Sequence, residues 1–196
     1  ENTLNLIGYN VDQSEKETWY GKDKKEVLYN HVLKHSVSVP NIDIIVNNAE
    51  DLLITELEKQ YFSNSNIELI DGVTDLFDEL RINGTKVALN TGYPKRLQQK
   101  IIQNFNLEGR IDAYISSEQV KYGRPYPFMI HNLMHQCEIK AVSSVAKIGD
   151  TVNDILEGKN AGCGLTIGVL SGAGKKEQLE NVSDLVFKDI SNLAYL

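Results

Sequence analysis

The stretch VAKIGDTVNDILEGKNAGCGLTIGV, residues 145–169, limits the fold of this chain more than any other. A short β-branched run, an amphipathic helical pattern and a second apolar run follow one another without a break, which is the signature of a strand–helix–strand unit. Two strands joined by a crossover helix run parallel, and a parallel sheet needs helices on its faces. The alternation extends to both sides. Ahead of it lie a helix over 71–80, a turn at Asn83-Gly84, a strand in TKVAL ending at Asn90, a helix over 94–105, a short strand over 113–115 and a helix over 128–136. Within the stretch the strands are 145–148 and 165–169 and the helix is 152–161. Beyond it come a weaker strand over 185–187 and a final helical turn.

The first third has a different texture. Residues 24–34 and 42–57 repeat apolar side chains at helical spacing, with one interruption at WYGKDKK, and strand signal is nearly absent up to Phe62. The expected organisation is an α-helical segment of two or three helices over 1–66, followed by an α/β core with a parallel sheet over 67–196. The boundary falls near 63–66. No internal repeat or low-complexity tract is visible.

The chain has 196 residues, 41% hydrophobic and 24% charged, which is ordinary for a globular protein. No window approaches the roughly 20 apolar residues of a membrane span. The net charge of −7 leaves no basic surplus for a nucleic-acid backbone. Cys137 and Cys163 form no CxxC pair, so two reduced thiols and a cytoplasmic location are expected. The apolar helices of the first segment are equally suited to form a homodimer or to pack on each other.

In open α/β sheets, ligands bind at the carboxyl ends of the strands. Three such ends are polar here: Asn90-Thr91-Gly92-Tyr93, Ser116-Ser117 leading to Gly123-Arg124-Pro125, and Gly149-Asp150. Asp150 follows a strand, and Asp154 sits one turn along the next helix. The pair suits a magnesium ion, directly or through water, although Asp150 or Thr151 capping the helix explains the spacing as well. Thr91 and Gly92 offer a hydroxyl and backbone amides to a phosphate oxygen, or form a plain turn. Arg124 is placed either to clamp a phosphoryl group with its fork of donors or to sit solvated at the surface.

Taken together, GDTVNDILEGKNAG, ALNTGY and VKYGRPYP resemble the fourth, second and third motifs of the haloacid dehalogenase superfamily. Arginine in GRPYP and the TGY turn are similar to its phosphonatase-like branch, which contains phosphonoacetaldehyde hydrolase and related phosphatases. The resemblance implies a Rossmann-like core with an α-helical cap and magnesium-dependent hydrolysis of a small phosphorylated substrate. It implies that Thr91, Gly92 and Tyr93 bind the substrate phosphate, that Arg124 balances its charge, and that Asp150 ligates Mg2+ with Asp154 in support. In GKDK, Lys24 matches the lysine with which phosphonatases form an imine. The histidine those enzymes carry three residues later is Val27 here.

The superfamily's nucleophile is an aspartate on the first strand, ahead of the cap, and forms an aspartyl phosphate. No such motif precedes the helical segment, and ENTLNLIG begins as if inside a helix. A core without that strand leaves its neighbours unpaired, so roughly 20 to 25 residues are expected upstream of Glu1. Two alternatives remain: a phosphonoacetaldehyde hydrolase using Lys24, and a non-catalytic phosphate-binding module. The pairs His31/His35 and His131/His135 are expected at helix surfaces rather than on a metal. GVLSGAGKKE has the wrong spacing for a phosphate-binding P-loop, and Trp19 is expected in the core of the helical segment.

Overall fold

The computed structural model describes residues 2–35, 40–62 and 67–195. The boundary expected at 63–66 lies outside the described residues. Before it are α1 (Asn2–Leu6), α2 (Gln13–Glu17), α3 (Lys24–His35) and α4 (Ile42–Phe62), with no strand among the described residues. Aspartates start two of them. Asp12 accepts from the Ser14 amide at 2.7 Å, and Asp23 Oδ1 accepts from the Glu26 amide at 2.7 Å, each satisfying a donor the helix leaves open. Leu4, Leu28, Val32, Val46 and Ala49 form a buried cluster between α1, α3 and α4, and Trp19 packs against it as expected. The last helix runs past the expected 57 to Phe62, and its Tyr61 ring meets Tyr93 edge to face at 6.3 Å.

From residue 67 the chain alternates helix and strand: α5 (Val73–Ile82), β1 (Ala88–Thr91), α6 (Lys95–Asn104), β2 (Ala113–Ser116), α7 (Phe128–Gln136), β3 (Ala146–Gly149), α8 (Val152–Ala161), β4 (Leu165–Val169), α9 (Lys176–Glu180) and β5 (Leu185–Phe187). The expected bounds of α7, α8, β4 and β5 coincide with those observed. The strand read in TKVAL starts only at Ala88. Its earlier residues are held otherwise: Thr85 N–H donates to Leu80 C=O, and Val87 N–H donates to the Asp112 carboxylate at 2.9 Å.

Every strand pairing is parallel, as the α/β reading requires. The ladder, however, comes in two pieces, β1-β2 and β3-β4-β5. Thr91 pairs with Ser116 and Gly149 with Gly168, so the polar carboxyl ends of both pieces are in register with their neighbours. β1 and β3 meet through side chains instead: Lys147 Nζ donates to Asn90 Oδ1 at 2.7 Å. Beneath them α7 packs on β1, β2 and α8 and so ties the two pieces together.

The apolar clusters of this region are built from residues beyond 67, such as Val73, Phe77, Ile102 and Leu107, or Ala113, Ile115, Met129 and Leu133. Ile155 on α8 is fully buried, and Ile82 at the end of α5 is 85% exposed. Ile155→Ala is expected to lower the unfolding free energy by about 2–5 kcal/mol and Ile82→Ala by less than about 0.5 kcal/mol, as measured by urea denaturation.

Candidate active site

The carboxyl ends of β1 and β3 are fastened by a buried cluster of charges. Arg124, 8% exposed, uses all three of its nitrogens. Nε pairs with Glu157 at 3.1 Å, one terminal nitrogen with Asp154 at 3.0 Å, and the other donates to Asn90 C=O at 2.7 Å and Asn90 Oδ1 at 2.9 Å. Lys147 bridges the same carboxylates, 3.1 Å from Asp154 and 3.1 Å from Glu157. Two cations and two anions thus neutralise one another where isolated charges would each cost several kcal/mol.

Asp154 is central to this arrangement. Its Oδ1 takes Arg124 and Lys147, and its Oδ2 accepts from the Thr151 hydroxyl at 2.5 Å. Burial alone would raise its pKa, but the Arg124 and Lys147 charges outweigh burial and hold it down to about 2. The Thr151 side chain in turn accepts from the Asp154 amide and caps α8. Of the two capping candidates, Thr151 is the cap.

Asp150 is half-buried, and its Oδ2 accepts from the Ala173 amide at 2.8 Å. That amide belongs to the GVLSGAGKKE loop, which lies against the carboxylate. A Cβ at Gly172 would fall 2.0 Å from Asp150 Oδ2, so the loop closes only with glycine there. The loop accordingly supports Asp150.

At the end of β1, Thr91 Oγ1 accepts from the Tyr93 amide at 3.1 Å. Gly92 is buried against the segment that enters α3. Its carbonyl accepts from the Lys24 amide at 3.2 Å, and a Cβ would lie 2.3 Å from the Lys22 carbonyl oxygen. Only glycine allows that approach. Further contacts close the same seam: Arg124 donates to Gly21 C=O at 3.4 Å, Asn153 donates to Tyr20 C=O at 2.7 Å, and the Ser117 hydroxyl donates to Asp23.

Lys24 is set apart from Lys25. It is half-buried, whereas its neighbour Lys25 is exposed and pairs with Glu50 at 3.2 Å. The Lys24 ammonium donates to Trp19 C=O at 3.4 Å and stands 6.0 Å from the centroid of the Tyr93 ring. Burial, followed by the nearby Arg124 charge, lowers its pKa, against the opposing pull of Asp23, Asp154 and Asp150. Burial likewise raises the pKa of the Tyr93 phenol, which also feels Asp150. Lys24, Thr91, Gly92, Tyr93, Arg124, Asp150 and Asp154 thus occupy one region.

Three features go beyond what the sequence implied. Arg124 and Asp154 are both buried and pair with each other at 3.0 Å. Lys147 and Glu157, which the sequence did not single out, complete the cluster; one Glu157 oxygen is buried without a hydrogen-bond partner among the described residues. His31, expected at a surface, is 1% exposed, while His131 and His135 are exposed as expected.

A family model described as haloacid dehalogenase-like hydrolase matches residues 2–168. The chain belongs to this family. It is 34% identical over 126 residues to a phosphonoacetaldehyde hydrolase of Bacillus mycoides, covering 61% of this chain and 47% of that protein. A Bacillus cereus phosphonoacetaldehyde hydrolase is 29% identical over 166 residues, covering 82% of this chain and 60% of that one. The chain spans about half the length of the curated relatives it matches. Among solved structures, a phosphonoacetaldehyde hydrolase-like protein from Oleispira antarctica aligns with a TM-score of 0.77 at 21% identity, over 99% of this chain and 81% of that one. A β-phosphoglucomutase from Clostridium difficile aligns with a TM-score of 0.79 at 16% identity, over 98% and 82%. At those identities the likeness shows the fold, which is the Rossmann-like α/β core of this haloacid dehalogenase-like family. Among the described residues no helix is long and apolar enough to cross a membrane.

Asp154→Asn leaves Arg124 and Lys147 short of a buried partner and is expected to cost about 3–5 kcal/mol in chemical denaturation. Asp150→Asn, which disturbs one loop contact, is expected to cost about 1 kcal/mol. A carboxylate with a depressed folded pKa stabilises above its unfolded pKa, and that stability is lost as pH falls through the folded value. The parent should therefore lose stability between about pH 4 and pH 2 more steeply than Asp154→Asn.

Proposed function

We propose that the chain is part of a magnesium-dependent phosphohydrolase acting on a small phosphorylated metabolite. In this reading residues 1–66 are its helical cap and 67–196 its core. The observation that carries it is the meeting of Lys24, Thr91, Gly92 and Asp150 around the buried Arg124–Asp154 pair at the carboxyl ends of β1 and β3.

The nucleophile is then an aspartate on a segment upstream of residue 1, lying as a strand between the unpaired edges of β1 and β3. Its carboxylate attacks phosphorus, the bond to the leaving oxygen breaks, and the aspartyl phosphate is hydrolysed by water. Thr91 donates its hydroxyl to a phosphoryl oxygen, and Gly92 lets the backbone approach closely. The Arg124–Asp154–Lys147–Glu157 cluster fixes the strand ends and supplies a charge-balanced floor.

The residues present fit a magnesium ion in part. Asp150 is accessible as a direct ligand, and one or two carboxylates with water and substrate oxygens suffice for this ion. Asp154 fits as a support, since both of its oxygens are engaged. The bound ion would offset charge on the phosphoryl oxygens. With the full gene product and magnesium, p-nitrophenyl phosphate turnover is expected, with a loss of at least about 100-fold in Asp150→Ala. Phosphate binding without turnover across phosphate esters and phosphonoacetaldehyde would favour the non-catalytic module.

One observation supports a second reading, a phosphonoacetaldehyde hydrolase. Lys24 is half-buried with a lowered pKa, as an amine that condenses with an aldehyde needs to be. Its nitrogen would add to the carbonyl and release water, and the iminium would accept the electrons of the breaking carbon–phosphorus bond. Val27, at the position of the phosphonatase histidine, is buried. Borohydride treatment with phosphonoacetaldehyde should, on this reading, leave a covalent adduct seen by mass spectrometry in the parent and none in Lys24→Arg. Because the amine loses its proton more easily than an ordinary lysine, trapping should persist to lower pH than in a model peptide.

A further inference from the structure

In α3 the apolar stripe Val27, Leu28, Val32 also carries His31, and one turn further His35. Glu15 of α2 reaches the same point. Its Oε2 lies 3.4 Å from His31 Nδ1 and 3.6 Å from His35 Nε2, and the three donor atoms all lie within 4.8 Å of one another. Neighbouring donors around a tetrahedral ion with bonds of about 2.0–2.1 Å sit roughly 3.3–3.4 Å apart.

The tautomer of His31 makes this more than a cluster. Its Nε2 is 3.1 Å from the Asn10 carbonyl oxygen, which can only accept, so Nε2 carries the hydrogen. In the neutral ring Nδ1 is then a bare lone pair. It is fully buried, has no hydrogen-bond partner among the described residues, and lies 3.4 Å from a carboxylate oxygen. Two acceptors this close repel, and either a proton on Nδ1 or a metal cation between them removes the conflict. A ligating histidine whose other N–H is fixed by a backbone carbonyl is also the usual supporting arrangement at metal centres.

We propose that Glu15, His31 and His35 bind a divalent transition-metal ion of the zinc class that ties α2 to α3. Imidazole nitrogens with one carboxylate suit zinc and its neighbours, whereas magnesium takes oxygen. The Trp19 ring packs edge-on against His31 at 5.2 Å and walls the inner side. Lys34 holds the other Glu15 oxygen at 3.1 Å, leaving Oε2 to the ion. The His35 side chain, 42% exposed, leaves the outer side open to a water as fourth ligand. Because Trp19 also accepts from Lys24 through its carbonyl, the ion would steady the segment that carries Lys24 into the candidate active site. The proposal does not depend on the phosphohydrolase reading.

The test is zinc titration by calorimetry on the full chain after chelator treatment, in excess magnesium, with thermal melts alongside. One zinc per chain is expected, and the melting temperature should rise with zinc concentration. His35→Ala and Glu15→Gln should each weaken binding by about tenfold or more, while Asp150→Asn binds as the parent does. His35 is exposed enough for its variant to fold. Absence of zinc binding, or parent affinity in both His35→Ala and Glu15→Gln, would overturn the site and leave a histidine–glutamate ion pair. Loss of zinc binding in Asp150→Asn alone would overturn it too, by placing the ion in the core.

Discussion

The buried group of Arg124, Lys147, Asp154 and Glu157 is the constraint on which the rest of this structure rests. It joins a loop, a strand and a helix, and through Asn90 it reaches a second strand that belongs to a separate piece of sheet. Four charges in a dry interior are tolerable only as a balanced set, so no member can change alone. That interdependence positions the ends of β1 and β3 relative to each other although no ladder hydrogen bond joins them.

Much of the fold was legible because α8 and the strands on either side of it obey local rules. Thr151 caps the helix, Ile155 faces the sheet, and Gly162 ends the helix in a left-handed turn. The strand before β2 was less legible because Asp112, a residue distant in sequence, takes the Val87 amide. Of the candidate site, the positions of Thr91 at the end of β1 and of Asp150 just after β3 were legible in the sequence. The burial of Arg124 was not: a loop arginine between glycine and proline looks the same whether its partners are water or a helix.

Lys147 and Glu157 were hidden for a related reason. A lysine in a strand ordinarily points to solvent, and only its position opposite Asp154 and Glu157 on the succeeding helix shows that it turns inward. His31 did leave a signal. It falls at three residues from Leu28 and four from Val27, on the stripe that faces α4, where a histidine needs a partner. The spacing of the two histidines carries no such signal by itself; the apolar stripe beside them does.

Among the described residues the seam between the helical segment and the core includes Ser117 to Asp23, Asn153 to Tyr20, Lys24 to Gly92, Arg124 to Gly21 and the ion pairs of Lys175 with Glu17 and of Arg96 and Lys100 with Glu58, while Tyr93 meets both the Tyr61 ring and the Lys24 ammonium. The apolar clusters fall on one side or the other. Parting the two regions therefore exchanges polar bonds for bonds to water and exposes little oil. Such an exchange is nearly balanced in free energy and scarcely sensitive to heat capacity. The seam thus adds little apolar burial to the clusters that each region forms by itself.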